Sequence, residues 1–336
     1  MSITGVHQAV ILCGGLGSRI GELTRSTPKP LLPVGGRPFL GILIDELVSQ
    51  GVRDILLLAA FENAQIRKFA EEVNDTTPDL QVRVAIEPDR AGTGGALWHA
   101  RLFLHDQFYL LNGDSWLDAP IHDLAAALGS APGLIGVLSL RSVPDRSRYG
   151  AIVLDRPLVT EFGGTTGQRG PGLINAGVYL FRREIVDHLP QNGSLEGEAL
   201  PMLARQCRLA GIQRDAYFID IGVPHDFSRA QTEVPIQRRR PALIIDPAAL
   251  FLKDWIAGAR RRGWRVFALN SAHVPSPPVY FDATIDDPAD LWGADLINNR
   301  WPIAPDSGII VASRTKLPTA PAAGYKILPV SMRPHF

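Results

Sequence analysis

The sequence has little cysteine: Cys13 and Cys207 are the two in 336 residues. Two thiols so far apart build neither a disulfide framework nor a Cys-based zinc site, and a reducing compartment fits. An excess of either charge is also missing. Lys plus Arg number 34 and Asp plus Glu number 34, for a formal net charge of zero. A general nucleic-acid or anionic-membrane binder needs a basic surface, so both classes are set aside, while a local basic pocket stays compatible. No run approaches the ~18 uninterrupted apolar residues of a membrane span. The N-terminal stretch lacks a basic n-region and does not read as a signal peptide, so a cytoplasmic location is expected. The eight histidines, His99 and His105 among them, lack metal-ligand spacing.

What is present is a globular balance, 46% hydrophobic and 20% charged, with 32 Gly and 27 Pro for loops. The length predicts two domains, at roughly 100–200 residues each. Apolar β-rich runs at 8–13, 54–60, 82–86 and 108–111 alternate with helical spacing over 39–50, 64–73 and 95–104. That alternation predicts a Rossmann-like α/β fold, a mixed but mostly parallel sheet with helices on both faces. Strands are expected again at 134–140, 151–154, 177–181 and 217–221, with a helix over 195–208. The polar, basic, proline-flanked stretch 235–241 reads as a solvated linker. After it come strand 242–245, helix 252–262 and strand 265–269, a small C-terminal α/β domain. The expected domains are therefore 1–233 and 234–336.

Two features carry chemistry. After the first strand comes Gly14-Gly15-Leu16-Gly17-Ser18-Arg19. Glycines let backbone N–H groups approach phosphate oxygens without Cβ interference. The loop is neither a Walker loop nor G-x-G-x-x-G, so ATPase and dinucleotide readings lose ground. Then comes Thr27-Pro28-Lys29-Pro30-Leu31-Leu32-Pro33-Val34. A lysine between two prolines is kept out of a helix interior, with extended and stiff neighbours. Such a mount suits a cation aimed at a phosphate.

Together with Glu87-Pro88-Asp89-Arg90-Ala91-Gly92-Thr93-Gly94-Gly95-Ala96, Leu111-Asn112-Gly113-Asp114-Ser115, Asn175-Ala176-Gly177 and Ile219-Asp220-Ile221-Gly222, these motifs resemble the sugar-1-phosphate nucleotidylyltransferases. The likeness is strongest to the heptose- and mannose-1-phosphate guanylyltransferases and covers about residues 8–232. It implies transfer of a nucleoside monophosphate from an NTP, with GTP expected, to a sugar 1-phosphate, releasing pyrophosphate. The same reaction with UTP or dTTP, and a catalytically weak regulatory subunit binding a nucleotide sugar, are the alternatives. Partners are then the NTP and the sugar phosphate, with no nucleic acid and no membrane; a homo-oligomer stays open.

The resemblance assigns Arg19, Lys29 and Asp114 to catalysis, Arg19 on the β- and γ-phosphates and Lys29 on the α-phosphate. Leu12, Gly14, Gly15, Gly17, Ser18, Glu87, Gly92, Thr93, Gly94, Gly95, Asn112 and Gly113 would bind the nucleotide. Glu87 falls at the base-reading position. A carboxylate only accepts hydrogen bonds, and guanine offers the adjacent donors N1–H and N2–H₂, so glutamate favours guanine. Asp114 and Asp220 would hold Mg²⁺, which two carboxylates, phosphate oxygens and waters suit. Tyr149, Gly150, Glu161, Asn175 and Gly177 would meet the sugar. Trp116 reads equally as a wall of that site or as core. Glu196 and Glu198 are either solvated or near the sugar. One departure stands out: many relatives carry a lysine for the sugar phosphate after Glu161, where this chain has Phe162-Gly163-Gly164-Thr165-Thr166. Arg169 is the candidate replacement. The C-terminal stretch, with strand 243–245 ending at Asp246, resembles a haloacid-dehalogenase-like phosphatase domain. Pro247 and Ala248 follow that aspartate without its usual acid partner, so the domain reads as degenerate.

Overall fold

The computed structural model describes residues 5–15, 18–60, 62–77, 79–88, 91–164, 169–245, 259, 264–269, 283–285, 303–312 and 325–329. β1 (Gln8–Leu12) is buried along its whole length. The small hairpin of β2 (Pro33–Val34) and β3 (Arg37–Pro38) leads into α1 (Phe39–Ser49). Next come β4 (Asp54–Ala59), α2 (Asn63–Thr76), β5 (Gln81–Ile86), α3 (Gly92–His99) and β6 (Gln107–Asn112). β7 (Ser115–Leu117), α4 (His122–Ser130), β8 (Gly136–Val143), β9 (Ala151–Asp155), β10 (Leu158–Gly164) and β11 (Gly172–Arg182) follow. A π-helical turn, Leu195–Ala199, runs into α5 (Leu200–Arg205), then β12 (Leu209–Arg214), β13 (Phe218–Asp220) and α6 (Pro224–Gln237). The last strands are β14 (Arg240–Ile245), β15 (Arg265–Leu269), β16 (Ala283–Ile285), β17 (Ile303–Ala312) and β18 (Tyr325–Pro329).

The chain forms two compact units, 1–44 with 52–231 and 45–51 with 232–336. The first is built on a nine-stranded sheet in the order β5-β4-β1-β6-β11-β8-β12-β10-β9. The expectation of a mostly parallel sheet needs correction. The β5-β4-β1-β6 half is parallel, fed by helical crossovers. Beyond β6, β11 runs antiparallel to both β6 and β8, and the β9–β10 hairpin closes the far edge antiparallel. Within this half β12 runs parallel to β8 and antiparallel to β10, so the sheet is mixed. β10 and β12 were not visible as strands in the sequence, and the expected helix 195–208 is a π-turn plus a six-residue α-helix.

The strands of the second unit form a five-stranded parallel sheet, β16-β15-β14-β17-β18. The expected linker at 235–241 is instead the end of α6, with Pro235 inside it, and the start of β14. Nor is its arginine run solvated throughout. Arg238 is 3% exposed and pairs with Asp45 at 3.3 Å and Glu46 at 2.9 Å. Arg265 joins Glu46 at 2.7 Å. Burial alone would raise the Glu46 carboxyl, yet the Arg265 and Arg238 guanidiniums hold it at about 2. Removing one partner from such a buried pair leaves an uncompensated charge, so these residues are structural. The expected helix 252–262, apart from residue 259, and Asp246, Pro247 and Ala248 lie outside the described residues.

Candidate active site

The site grows from the C-terminal ends of two adjacent parallel strands. β1 and β6 are in register with Leu12 beside Asn112. The glycine-rich loop leaves β1 there and the Asn112-Gly113-Asp114 turn leaves β6. The Gly113 N–H donates to the Leu12 carbonyl at 3.0 Å. A Cβ on Gly113 would lie 2.4 Å from that oxygen, so only glycine lets the two loops touch.

Asp114 and Asp220 are brought together by a ladder of three residues a side. β7 pairs antiparallel with β13, Ser115 opposite Asp220, and the Ile221 N–H donates to the Asp114 carbonyl at 2.9 Å. The Lys29 ammonium forms an ion pair with the Asp114 carboxylate, its side chain only 9% exposed. Of the neighbours expected to be extended, Pro30 instead lies in a single 3-10 turn, Lys29–Leu31, closed by Leu31 N–H to Pro28 O at 2.8 Å. Pro28 keeps extended dihedrals, and Pro30 sits in the first turn, where its missing N–H costs nothing. Burial and then the like charge of Asp114 raise the Asp220 carboxyl, while Lys29 and the Gly222 amide, at 2.7 Å, pull it down. Gly222 closes the group: a Cβ there would lie 2.9 Å from Lys29 Nζ and 2.6 Å from Asp220 Oδ1.

This donor set fits a hard divalent cation. Two neighbouring carboxylates meet here, Asp220 raised first by burial and then by the charge of Asp114, with Lys29 bonded to Asp114 and Arg148 standing 3.6 Å from Asp220. Among the described residues no three His, Cys, Asp or Glu side chains gather, which speaks against an all-protein cage. An ion that keeps water and phosphate oxygens in its shell needs only one or two carboxylates.

Glu87 follows β5, its N–H bonded to the Ala59 carbonyl at 3.0 Å. Its carboxylate lies against the glycine-rich loop, since a Cβ on Gly14 would be 2.3 Å from Glu87 Oε1. Burial pushes the Glu87 carboxyl up to about 7. Gly15 has φ +125°. Gly17 and the Ser18 side chain lie outside the described residues, and Arg19 is exposed in the 3-10 segment Ser18–Thr24.

The glycines of α3 have a reason that the sequence did not reveal. Gly94 and Gly95 N–H groups donate to Gly193 O at 2.9 and 3.3 Å. A Cβ on Gly92 would sit 2.4 Å from Gly193 O, and one on Gly95 2.7 Å from Gln191 O. The 190–195 loop thus fills their Cα faces. The Thr93 hydroxyl accepts from Leu195 N–H at 2.9 Å and donates to Glu196 Oε2 at 2.7 Å.

Glu196 belongs to a network leading across the sheet. The Tyr179 hydroxyl donates to Glu196 Oε1 at 3.4 Å and takes a hydrogen bond from the Asn175 amide. Asn175 Oδ1 accepts from Gly177 N–H at 3.1 Å. Glu196 is therefore hydrogen-bonded into the network that holds Asn175, and it is placed by a π-turn, a feature frequent at functional sites. Glu198 instead caps the loop through Ser194 N–H at 2.9 Å. Gly177 has φ +71°, and a Cβ there would meet Ser115 Oγ at 2.7 Å and Asn112 Nδ2 at 2.9 Å. Asn112 Oδ1 and Ser115 Oγ are buried without a hydrogen-bond partner. Trp116, 3% exposed, packs on Tyr217 with ring centroids 5.6 Å apart and belongs to the core.

Tyr149 meets Phe218 edge-on, and burial with the Asp220 charge pushes its hydroxyl up to about 12. Gly150 approaches Gly163 closely: a Cβ on it would be 2.9 Å from Gly163 Cα. Glu161 is exposed on β10. Arg169 is exposed and helps hold the Asp145 carboxyl low, after the Ser147 hydrogen bonds that do most of it. The residue that sequence reasoning undervalued is Arg148. It reaches Asp226 with one nitrogen, and its Nη2 stands 3.6 Å from Asp220 Oδ2. Its position beside Tyr149 in Arg148-Tyr149-Gly150 was the available signal.

Comparison with known proteins gives a consistent result. The family model described as nucleotidyl transferase matches residues 8–236. The D-glycero-alpha-D-manno-heptose 1-phosphate guanylyltransferase of Campylobacter jejuni is 32% identical over 223 residues, 66% of this chain and 96% of that protein. A mannose-1-phosphate guanyltransferase of Schizosaccharomyces pombe is 29% identical over 231 residues, covering 66% of this chain and 62% of the relative. The crystal structure of HddC from Yersinia pseudotuberculosis superposes with a TM-score of 0.59 at 30% identity, over 68% of this chain and 99% of that one. A second structure of HddC is complexed with GMP-PN. No helix among the described residues is long and apolar enough to cross a membrane.

Proposed function

The chain belongs to the nucleotidyl transferase family, and from that premise we propose that it joins GTP to a sugar 1-phosphate of the heptose or mannose type, releasing pyrophosphate. The observation that carries this reading is the Lys29–Asp114–Asp220 group at the joint ends of β1 and β6. An oxygen of the sugar phosphate attacks the α-phosphorus in line, and pyrophosphate leaves. No covalent enzyme intermediate is required, so the protein contributes positioning and charge neutralisation. Lys29 offsets charge that grows on the α-phosphate. Arg19 grips the β- and γ-phosphates, and the backbone of Gly14, Gly15 and Gly17 wraps them. Asp114 and Asp220 would hold Mg²⁺, which supplies neutralisation of phosphate oxygens when bound. Leu12, Ser18, Asn112, Gly113 and the Gly92–Gly95 segment complete the nucleotide side; Tyr149, Gly150, Glu161, Asn175 and Gly177 the sugar side. Catalysis is assigned to residues 1–233, and 234–336 to a small α/β domain without phosphatase chemistry. The test is pyrophosphate release with a panel of NTPs and sugar 1-phosphates. Turnover restricted to GTP with a heptose or mannose 1-phosphate supports the reading.

Two consequences can be measured. In G222A the new methyl pushes on the Lys29 ammonium and on Asp220. The expected outcome is a fall in kcat of about tenfold, near 1.4 kcal/mol of barrier, with little change in Tm. The second concerns pH. Guanine's donors need an ionised Glu87, and burial raises that carboxyl from 4.5 to about 7. The KM for GTP should therefore fall as pH rises through about 7. Ligand-free stability runs the opposite way. A raised folded pKa means stability fully present below 4.5 and lost as pH rises through about 7. E87Q should flatten both profiles.

A further inference from the structure

We propose that Arg148 receives the phosphate of the acceptor sugar, the task left vacant by the missing lysine after Glu161. The inference rests on the functional reading above and names a residue for it.

A sugar 1-phosphate brings up to two negative charges to a site whose nearest fixed groups, Asp114 and Asp220, are themselves anionic. Lys29 is already engaged by Asp114. Arg169 lies by Asp145. Arg148 is different. The loop between β8 and β9 carries it over the β13 end, where Phe218 braces the neighbouring Tyr149 ring. Its guanidinium lies 5.4 Å from the Tyr149 ring centre. Asp226, in the first turn of α6 and itself 9% exposed at the side chain, grips Nη1. Nη2 then stands 3.6 Å from Asp220 Oδ2, attracted but beyond hydrogen-bond range. The side chain is 38% exposed. An arginine has five N–H donors in a planar fork. One edge is anchored, and the donors facing the Asp220 side remain to be used by a ligand.

Asp226 also accepts Arg229 at 3.0 Å and His225 at 3.2 Å on its other oxygen. A fork held along one edge suits a phosphate, which takes two parallel N–H bonds. The same arrangement explains why removing Arg148 should not unfold the protein: Asp226 keeps Arg229 and His225 as partners.

The experiment compares wild type, R148Q and R148K in steady-state pyrophosphate release, with GTP and mannose 1-phosphate or heptose 1-phosphate varied in turn. GTP binding is followed separately by calorimetry and folding by Tm. The proposal expects R148Q to raise KM for the sugar phosphate about ten- to hundredfold, the range for a lost hydrogen bond to a charged group. KM and Kd for GTP should stay within about twofold, with Tm close to wild type. R148K should recover part of the loss, since the charge returns but the fork does not. An unchanged KM for the sugar phosphate in R148Q would overturn the proposal. So would equal losses for both substrates with a lowered Tm, the mark of a purely structural role. A wild-type protein without turnover on any pair would overturn the functional reading and this inference with it. Wild-type turnover with no selective effect in R148Q overturns the inference alone.

Discussion

Replacing Lys29 by methionine should lower kcat by about 10²–10³, some 2.7–4 kcal/mol of barrier, the range for losing one preorganised charge stabiliser. The ammonium is nearly enclosed, bound to Asp114 and packed against Gly222, and so needs no reorganisation when charge builds on a phosphate. Methionine has a similar reach and fills the same space, so the packing around Pro28 and Pro30 should survive. The two carboxylates would then lose the ammonium bonded to Asp114, leaving only the more distant Arg148 beside Asp220. The Asp220 carboxyl, already raised, should rise further, and K29M should lose stability as pH climbs above the ordinary carboxylate range. K29R keeps the charge but not the fit, since Gly222 leaves no room for a fork, and should recover little. Single-turnover pyrophosphate release separates this from a binding defect: the chemical step should slow while Kd for GTP changes far less.

Substituting Glu87 by glutamine should cut kcat/KM for GTP by about 5–150-fold, the ~1–3 kcal/mol that one bidentate base contact contributes to discrimination. The physical reason is donor count. A carboxylate offers two acceptors to guanine's N1–H and N2–H₂, whereas an amide turns one of them into a donor. Use of UTP, expected to be slow in the wild type, should change much less or rise. Glu87 lies against Gly14, so the carboxylate is near the loop assigned to the phosphates. Equal losses for GTP and UTP would make it a structural residue of that loop. The pH dependence offers a check that needs no substitution, because protonation at low pH gives Glu87 the hydrogen-bond pattern of an amide.

Much of this site was legible because its residues act through short local motifs. Lys29 is marked by its two prolines, Asp114 by a turn at a strand end, and the first loop by its glycines. What could not be read is what tertiary contacts decide. β13 was expected as part of a strand at 217–221, but its three-residue partner β7 carries no periodic signal, and it is their pairing that sets Asp114 beside Asp220. The glycines from Gly92 to Gly95 suggested a ligand, and the sequence did not show that the 190–195 loop packs on their Cα faces. The sequence left Glu196 either solvated or near the sugar, and could not show its bonds to Thr93 and Tyr179. The parallel half of the sheet followed from strand–helix alternation. In the other half β8, β9 and β11 were expected as strands, but β10 escaped because it begins after a proline and ends in glycines, and so carries little alternation of its own. Arg238 sat in a run that looked solvated, and a partner pair on α1 buries it.

The most direct test of the central claim is a competition assay on the wild-type protein. GTP, UTP and dTTP would be supplied at equal concentration with mannose 1-phosphate or heptose 1-phosphate and Mg²⁺, and the nucleotide sugars counted as they form. The account predicts a GDP-sugar in clear excess, with pyrophosphate released in equal amount. A UDP- or dTDP-sugar as the main product would contradict the role given to Glu87. No product from any pair, with the nucleotide sugar still bound tightly, would contradict catalysis itself.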